Sequence, residues 1–583
     1  MTGTNRSLLQ GGDQWGYNSY LTSIFIYKDL KTLDKTYEAT RHQSGVAPRP
    51  AGSPGRIGEA PDAPNGNRIL KYSYGVAALQ APFFIASHLL LRGNGYSPGY
   101  VYAVYLSTIF YVLIGLLLLM RVLAGFVNPR SALFSLLLLL AGTNLLYFTS
   151  CNPGLSHPYL FFLFSCMLYY TDQFYKLPST KHAIIMGVLA GLIVVTRPVE
   201  IIVLLSPLVF IARHDFIREH YRKIMLSFLF AGLVILPQLV YWKTVSGQWL
   251  YDTYPTERFD FLHPHIIEGF FSFKNGWFAY TPLMIIAIPG LLLIAKKKNP
   301  FATGIILYTL LTIYITYSWT QWNYNAGLGS RPMVEAYALL AIPFAIFLQY
   351  IFQYKKARLI AVVFIPFCVY INILRTIQMQ TGNFISEDAT WQFNRQMLFK
   401  LHASLGDVYA FDLNFAQPDS AQLQFSKQLG VQNFESETGA IKDTMLQTEG
   451  FQSAVFEQNE FNDLVEVPID SSYRKGDYIK VSAWARVSSN VNHYRMGKIV
   501  VEVIRSGKSV QWNSVRIHNK LMGSETAANL FHGVVNEWRK MEFYILLENN
   551  FLRGDILKVY GWNPLHESFR LDDMQVAYYK RKY

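Results

Sequence analysis

The chain has 583 residues, of which 51% are hydrophobic and only 16% charged, where a soluble chain of this size carries nearer a quarter. Its net charge of +13 falls largely in short loops between apolar runs, which is a topology pattern and argues against a nucleic-acid-binding surface. The three cysteines, Cys151, Cys166 and Cys368, lie in or beside apolar segments, so neither a disulfide framework nor a CxxC metal motif is available.

Residues 1–100 read as a first segment outside the cytoplasm. Gly11 to Tyr17 precede a helical pattern of Tyr20, Ile24 and Tyr27, and a polar, Gly- and Pro-rich stretch over 44–67 leads to Arg68-Ile69-Leu70-Lys71-Tyr72. Residues 72–91 are apolar but contain Pro82, Ser87 and His88. They are expected to form a helix lying in the outer membrane interface, because a span there would invert the charge bias of every later loop.

About ten hydrophobic spans follow within 101–375, since about 20 apolar residues cross the hydrocarbon core. They are expected at 101–120, 131–148, 158–170, 184–195, 199–212, 224–242, 281–295, 301–317, 334–354 and 359–374. Alternate loops hold Arg121 and Arg130; Lys176 and Lys181; Arg213, Arg218, Arg222 and Lys223; Lys296, Lys297 and Lys298; and Lys355, Lys356 and Arg358. Positive loops stay cytoplasmic, so both the first segment and everything after residue 375 face out. That orientation calls for a further span ahead of Asp13, and an absent first transmembrane helix is the expectation.

A linker is expected over 376–404. From 405 to 583 the hydrophobic period changes to two, with strands at 478–487, 498–504, 540–547, 557–562 and 570–576. Short alternating strands separated by turn residues predict an antiparallel β-sandwich.

Several polar residues lie at membrane depth on the outer side. Asp13 is either a loop or capping residue or a general base for an incoming hydroxyl. Lys71 is either an interface anchor or a partner for a lipid-linked phosphate. Arg197, at a Thr196-Arg197-Pro198 break, either pairs with Glu200 or contacts phosphate. His157 is either an interface histidine or a sugar or acceptor contact. The stretch from Trp319 to Pro332 combines Trp319, Trp322, Tyr324, amides, glycines and Arg331. Its rings suit either an aromatic belt or stacking on a sugar, and Arg331 either anchors the helix or binds phosphate bidentately. Glu335, one turn on, would orient Arg331 or bind acceptor. The loop over 243–280, with Trp249, Tyr251, Asp252, Tyr254, His263 and His265, would cover the same cavity.

Asp13 and the stretch Lys71-Tyr72-Ser73-Tyr74-Gly75 resemble the GT-C superfamily of membrane glycosyltransferases, and Tyr20-Leu21 to Asp29-Leu30, Gly276 to Pro282 and Trp319 to Pro332 resemble, more narrowly, GT-C-like proteins of Bacteroidota. In that superfamily an acidic residue opens the first outer loop, and a Lys-Pro-Pro-like element starts an interfacial helix; here Ser73 stands where proline is common. The resemblance covers roughly residues 10 to 375. It implies transfer of a sugar from a polyprenyl-phosphate donor, with inversion, to a glycan, lipid or protein acceptor outside a bacterial inner membrane. Asp13 would be the base. Lys71, Arg331 and Arg197 would bind the phosphate. His157, Trp319, Trp322, Tyr324 and Glu335 would contact acceptor or sugar. No cofactor is required by these residues, and a divalent metal stays open. Arg570 to Val576 and Val481 to Arg486 resemble strands of jelly-roll, carbohydrate-binding-module-like domains. The competing functions are a lipid-linked sugar transporter or flippase, for which no internal repeat is found, and a non-catalytic anchor for the β-domain. Convergence of Asp13, Lys71 and Arg331 on one cavity discriminates between enzyme and anchor.

Overall fold

Helix starts in the first half of the chain follow from proline and side-chain caps. In a computed structural model, which describes residues 8–9, 12–41, 63–205, 207, 214–254, 257–296, 301–325, 327–434, 454–456, 460–522, 530 and 533–582, the helix α4 (Pro98–Leu123) opens on its own proline. The helix α5 (Pro129–Ala141) is capped by Asn128, which accepts from the Ser131 amide. Ahead of these lie α1 (Gly12–Leu21), extended by a π-helical turn over Thr22–Tyr27 and ended by Lys28 at φ 56°, then α2 (Asp34–Arg41) and α3 (Gly75–Leu91). The expected polar stretch over 44–67 lies mostly outside the described residues. The chain divides into two compact units, Met1–Thr376 and Ile377–Tyr583.

The first unit is helical. After α5 come α6 (Leu145–Ser150), α7 (Ser156–Lys176), α8 (Thr180–Thr196), α9 (His214–Ser246), α10 (Ala287–Lys296), α11 (Ala302–Tyr317), α12 (Tyr337–Ile351) and α13 (Lys355–Gln380). The helices Pro98–Leu123, Phe216–Ser246 and Lys355–Gln380 are long and apolar enough to cross a membrane. They expose Leu106 and Leu117, Phe228 and Leu229, and Leu359, Ile360 and Val363. Apolar faces of that extent fit lipid and not water.

The described residues do not resolve into ten unbroken spans. The stretch 131–148 breaks after Ala141 and restarts at Leu145. The amide of Asn372 donates to the Ala141 and Thr143 carbonyls at 2.9 and 2.8 Å, and so satisfies backbone groups that a continuous helix would pair internally. Residues 199–212 begin as a 3-10 turn, Pro198–Leu204, and 206, 208–212 and the loop residues Arg213, Lys297 and Lys298 lie outside the described residues. Residues 281–295 likewise begin as a 3-10 turn, Pro282–Ile286, before α10. Proline sits at the first position of both turns, where its missing N–H costs least.

The helix expected over 72–91 is α3. Its last turn exposes Leu89 and Leu90, the latter at 84%. Tyr20 donates to the Tyr72 carbonyl (2.9 Å), the Leu70 amide donates to the Tyr241 hydroxyl (2.8 Å), and the Tyr74 amide donates to Gln238 Oε1 (3.0 Å). These three bonds fix the strand of backbone that carries Lys71.

The second unit holds two antiparallel sheets. The region 376–404 is not bare linker, since it carries α14 (Trp391–Gln396), and α15 (Leu405–Asp412) follows with a Ser404–Asp407 capping box. The strands are β1 (Leu423–Gln432), β2 (Ala454–Phe456), β3 (Phe461–Ile469), β4 (Tyr478–Val487), β5 (Lys498–Arg505), β6 (Lys508–Arg516), β7 (Arg539–Leu546), β8 (Asp555–Trp562) and β9 (Phe569–Arg581). One sheet has the order β1–β9–β4–β7, with β2 also on β9, and the other has the order β3–β8–β5–β6. Ile479, Val481, Ala483 and Ala485 of the first sheet share one core with Val501, Val503, Leu557 and Val559 of the second, the arrangement of a sandwich. Alternation along β4 and β8 puts every second side chain into that core.

Candidate functional site

The break after α8 and the turn before α12 deliver side chains to one cavity of about 1010 Å³ in the helical unit. Asp13, Lys71, His157, Arg197, Trp319, Tyr324 and Arg331 all line it. These residues come from α1, the segment before α3, the start of α7, the end of α8, and the loop and 3-10 turn between α11 and α12.

Asp13 sits in the first turn of α1. Its Oδ1 accepts from the Tyr72 hydroxyl at 2.7 Å, and Arg331 Nη1 reaches Oδ2 at 3.3 Å. Burial pushes the Asp13 pKa up, but Arg331, the Tyr72 hydroxyl, His157 and Lys71 together outweigh it and hold the carboxyl below its ordinary value. Asp13 is therefore ionised at neutral pH and keeps lone pairs for a donor in the cavity. Among the described residues the buried Arg331 Nε has no hydrogen-bond partner, a polar group that costs free energy until something accepts from it.

Lys71 Nζ lies 2.9 Å from Glu257 Oε1 and 4.3 Å from the centre of the Tyr254 ring. Arg197 Nη1 donates to Glu335 Oε1 at 3.2 Å, its Nε is 3.8 Å from Glu200 Oε1, and its guanidinium lies 5.5 Å from the Tyr324 ring centre. His157 Nδ1 is 2.8 Å from Glu335 Oε2.

Glu335 differs from its expected part. It is fully buried, so it does not face an acceptor, and it bonds Arg197 and His157 instead of Arg331. The reason is local: Arg331–Met333 is a 3-10 turn and α12 begins only at Tyr337, so the four-residue spacing of an α-helix does not align residues 331 and 335. Trp322 is also off the cavity wall; its ring stacks on His265 at 5.8 Å. Of the covering loop, Tyr251, Asp252 and Tyr254 line the cavity, while Trp249, His263 and His265 are not among its lining residues. Among the described residues no group of three or more His, Cys, Asp or Glu has the arrangement of a metal site.

Tyr72 and Glu257 were not singled out in the sequence. Tyr72 follows Lys71 directly, but adjacent residues point different ways unless the backbone is bent, and nothing in the spacing indicates the bend. Glu257 lies 186 positions from Lys71, beyond any local pattern.

No family model matches the chain, and no curated protein matches it. Solved structures do. ArnT from Cupriavidus metallidurans in the apo state is 12% identical over 64% of this chain and 66% of that one, with a TM-score of 0.41. The same protein bound to undecaprenyl phosphate gives 15%, 52%, 60% and 0.35. The arabinosyltransferase EmbB from Mycobacterium smegmatis gives 11% identity, 99% of this chain, 64% of that one and 0.34. The chain thus spans less than two thirds of the length of each of these structures, and at such scores the likeness decides neither fold nor activity.

Proposed function

We propose that the chain is a GT-C-type membrane glycosyltransferase that moves a sugar from a polyprenyl-phosphate donor to an acceptor outside the cytoplasmic membrane. The observation that carries this reading is the convergence of Asp13, Lys71 and Arg331 on one cavity, the discriminator against a passive anchor. The cavity sets Asp13 among Lys71, Arg197 and Arg331, and Pro198, Val199 and Trp242 give it an apolar side suited to an isoprenoid chain.

In this reading an acceptor hydroxyl hydrogen-bonds the free lone pairs of Asp13. Its oxygen attacks the anomeric carbon as its proton passes to Asp13. The bond from that carbon to the phosphate oxygen breaks on the opposite face, so the configuration inverts and the electron pair leaves on the polyprenyl phosphate. Lys71, Arg331 and Arg197 stabilise the charge that develops there, the largest single contribution in reactions of this kind. His157, Trp319 and Tyr324 would contact sugar or acceptor. The β-sandwich, read as an extracytoplasmic carbohydrate-binding-module-like jelly roll, is supported by the exposed Phe461 and Trp512 beside Trp562 on one sheet face.

The test is mass spectrometry of surface glycans in a deletion strain complemented with the intact gene or with Asp13→Asn. Loss of the base is expected to slow transfer about 100-fold. Full transfer by Asp13→Asn would overturn the assignment.

A further inference from the structure

The three cations assigned to the phosphate, all on the cavity wall, are not held alike. Arg197 is locked by Glu335, which is fully buried, and Arg331 faces Asp13, which the proposed transfer uses. Lys71 pairs with Glu257, a carboxylate for which that transfer has no role. Both side chains are on the cavity wall and part-exposed, at 19% and 26%.

Two further observations bear on how this pair behaves. The Lys71 ammonium also sits over the Tyr254 ring at 4.3 Å, a second support that stays when Glu257 departs. Glu257 immediately precedes Arg258, whose backbone is tied to Thr320 in both directions: the Arg258 amide donates to Thr320 Oγ1 (3.3 Å) and the Thr320 amide donates to the Arg258 carbonyl (3.0 Å). The Glu257 side chain can therefore turn away while the backbone beyond it remains pinned.

We propose that Glu257 occupies on Lys71 the position of the ligand's phosphate group, competes with it, and sets the negative charge a ligand must bring to enter. This inference rests on the phosphate reading of the cavity. A neutral ligand cannot replace a carboxylate beside an ammonium. A phosphate can, because it brings equal or greater charge and several acceptor oxygens. Exchanging one part-exposed ion pair for another is inexpensive, since such pairs contribute little. Breaking the pair of Arg197 with the fully buried Glu335 is not. Glu257 thereby keeps Lys71 compensated in the empty cavity and returns to it when the phosphate leaves.

The test is calorimetric titration of the full chain in detergent micelles with a long-chain polyprenyl monophosphate, with inorganic phosphate and with the free polyprenol. Glu257→Gln is expected to tighten the monophosphate about fivefold, the scale of one part-exposed ion pair. Lys71→Ala is expected to weaken it roughly tenfold or more, and to abolish the gain when the two changes are combined. If Glu257→Gln leaves the Kd unchanged or raises it while Lys71→Ala weakens binding, the competition is refuted and the phosphate reading stands. If neither variant changes the Kd, the phosphate reading falls and this inference with it. A gain seen with inorganic phosphate alone supports the competition but assigns the site to free phosphate and not to a lipid headgroup. An equal gain for free polyprenol overturns the proposal, because removing the charge would then only have loosened the wall.

Discussion

Asp13 and Arg331 lie 318 positions apart in the chain and meet at 3.3 Å across the cavity. Each supplies what the other lacks: the carboxylate compensates a mostly buried guanidinium, and the guanidinium keeps the carboxylate ionised. Arg331→Lys is expected to lose the forked geometry that a phosphate oxygen pair needs. KM for a polyprenyl-phosphate sugar should rise about tenfold with a smaller change in kcat, as steady-state kinetics in micelles would show.

The Tyr72 hydroxyl stabilises the ionised form of Asp13 through its 2.7 Å bond. Tyr72→Phe removes that stabilisation, so the Asp13 pKa rises. Transfer depends on ionised Asp13, and its acid limb should therefore move to higher pH. A pH–rate profile of the variant beside the parent chain checks the direction. An unmoved acid limb would remove Asp13 from the role of base.

Glu335 carries structural weight. Its loss leaves Arg197 with the more distant Glu200 and His157 without its carboxylate. Glu335→Ala should destabilise the helical unit by about 3–5 kcal/mol, the usual cost of stranding a buried charge. Thermal unfolding in detergent measures this, and Glu335→Gln, which keeps the shape and one acceptor, should lose less.

Gly75 begins α3 against the end of α8. A Cβ there would lie 2.6 Å from Thr196 Cα, and backbone at that distance has to move. Gly75→Ala should cost about 1–3 kcal/mol. It should also raise KM, because Lys71 and Arg197 flank the contact on its two sides.

In the β-sandwich, His518 is buried and neither ring nitrogen has a hydrogen-bond partner among the described residues. Burial pulls its pKa from 6.5 down to about 4. Between those values the unfolded chain binds a proton that the folded chain does not. Stability is therefore whole above about pH 6.5 and falls as pH drops towards 4, by up to about 3 kcal/mol. Hydrogen exchange of the β6 amides in the full chain at pH 7 and pH 4.5 reads this loss, and His518→Leu should flatten it.

How much of this was legible depended on the range of the interaction. Residues 478–487 were expected as a strand and form Tyr478–Val487, because alternation within ten residues is enough to bury one face. The helix over 72–91 was legible too, as an apolar run whose counting as a span would have inverted the charge bias of the later loops. The break after Ala141 was not, since the amide that satisfies it belongs to Asn372, 231 positions away. Loop charge put Asp13, Lys71 and Arg331 on one side of the membrane, which narrowed the site without giving distances. Glu335 was misread because α-helical spacing was assumed where the backbone is a 3-10 turn. Glu257 carried no local signal, its partner being fixed by the fold alone.

In the order β2–β9–β4, with β1 also bonded to β9, the strand that follows all the others in the chain forms the middle of its sheet. During synthesis, β1, β2 and β4 emerge without the neighbour they will share, so the sheet cannot zip up from its N-terminal side. Pairing then has to close loops of over a hundred residues, such as Leu423 with Arg581, which is slow. The sandwich should form late and cooperatively, after its last strand has cleared the ribosome. A premature stop ahead of Phe569 would leave three strands with open edges, exposed to aggregation instead of a smaller folded sheet.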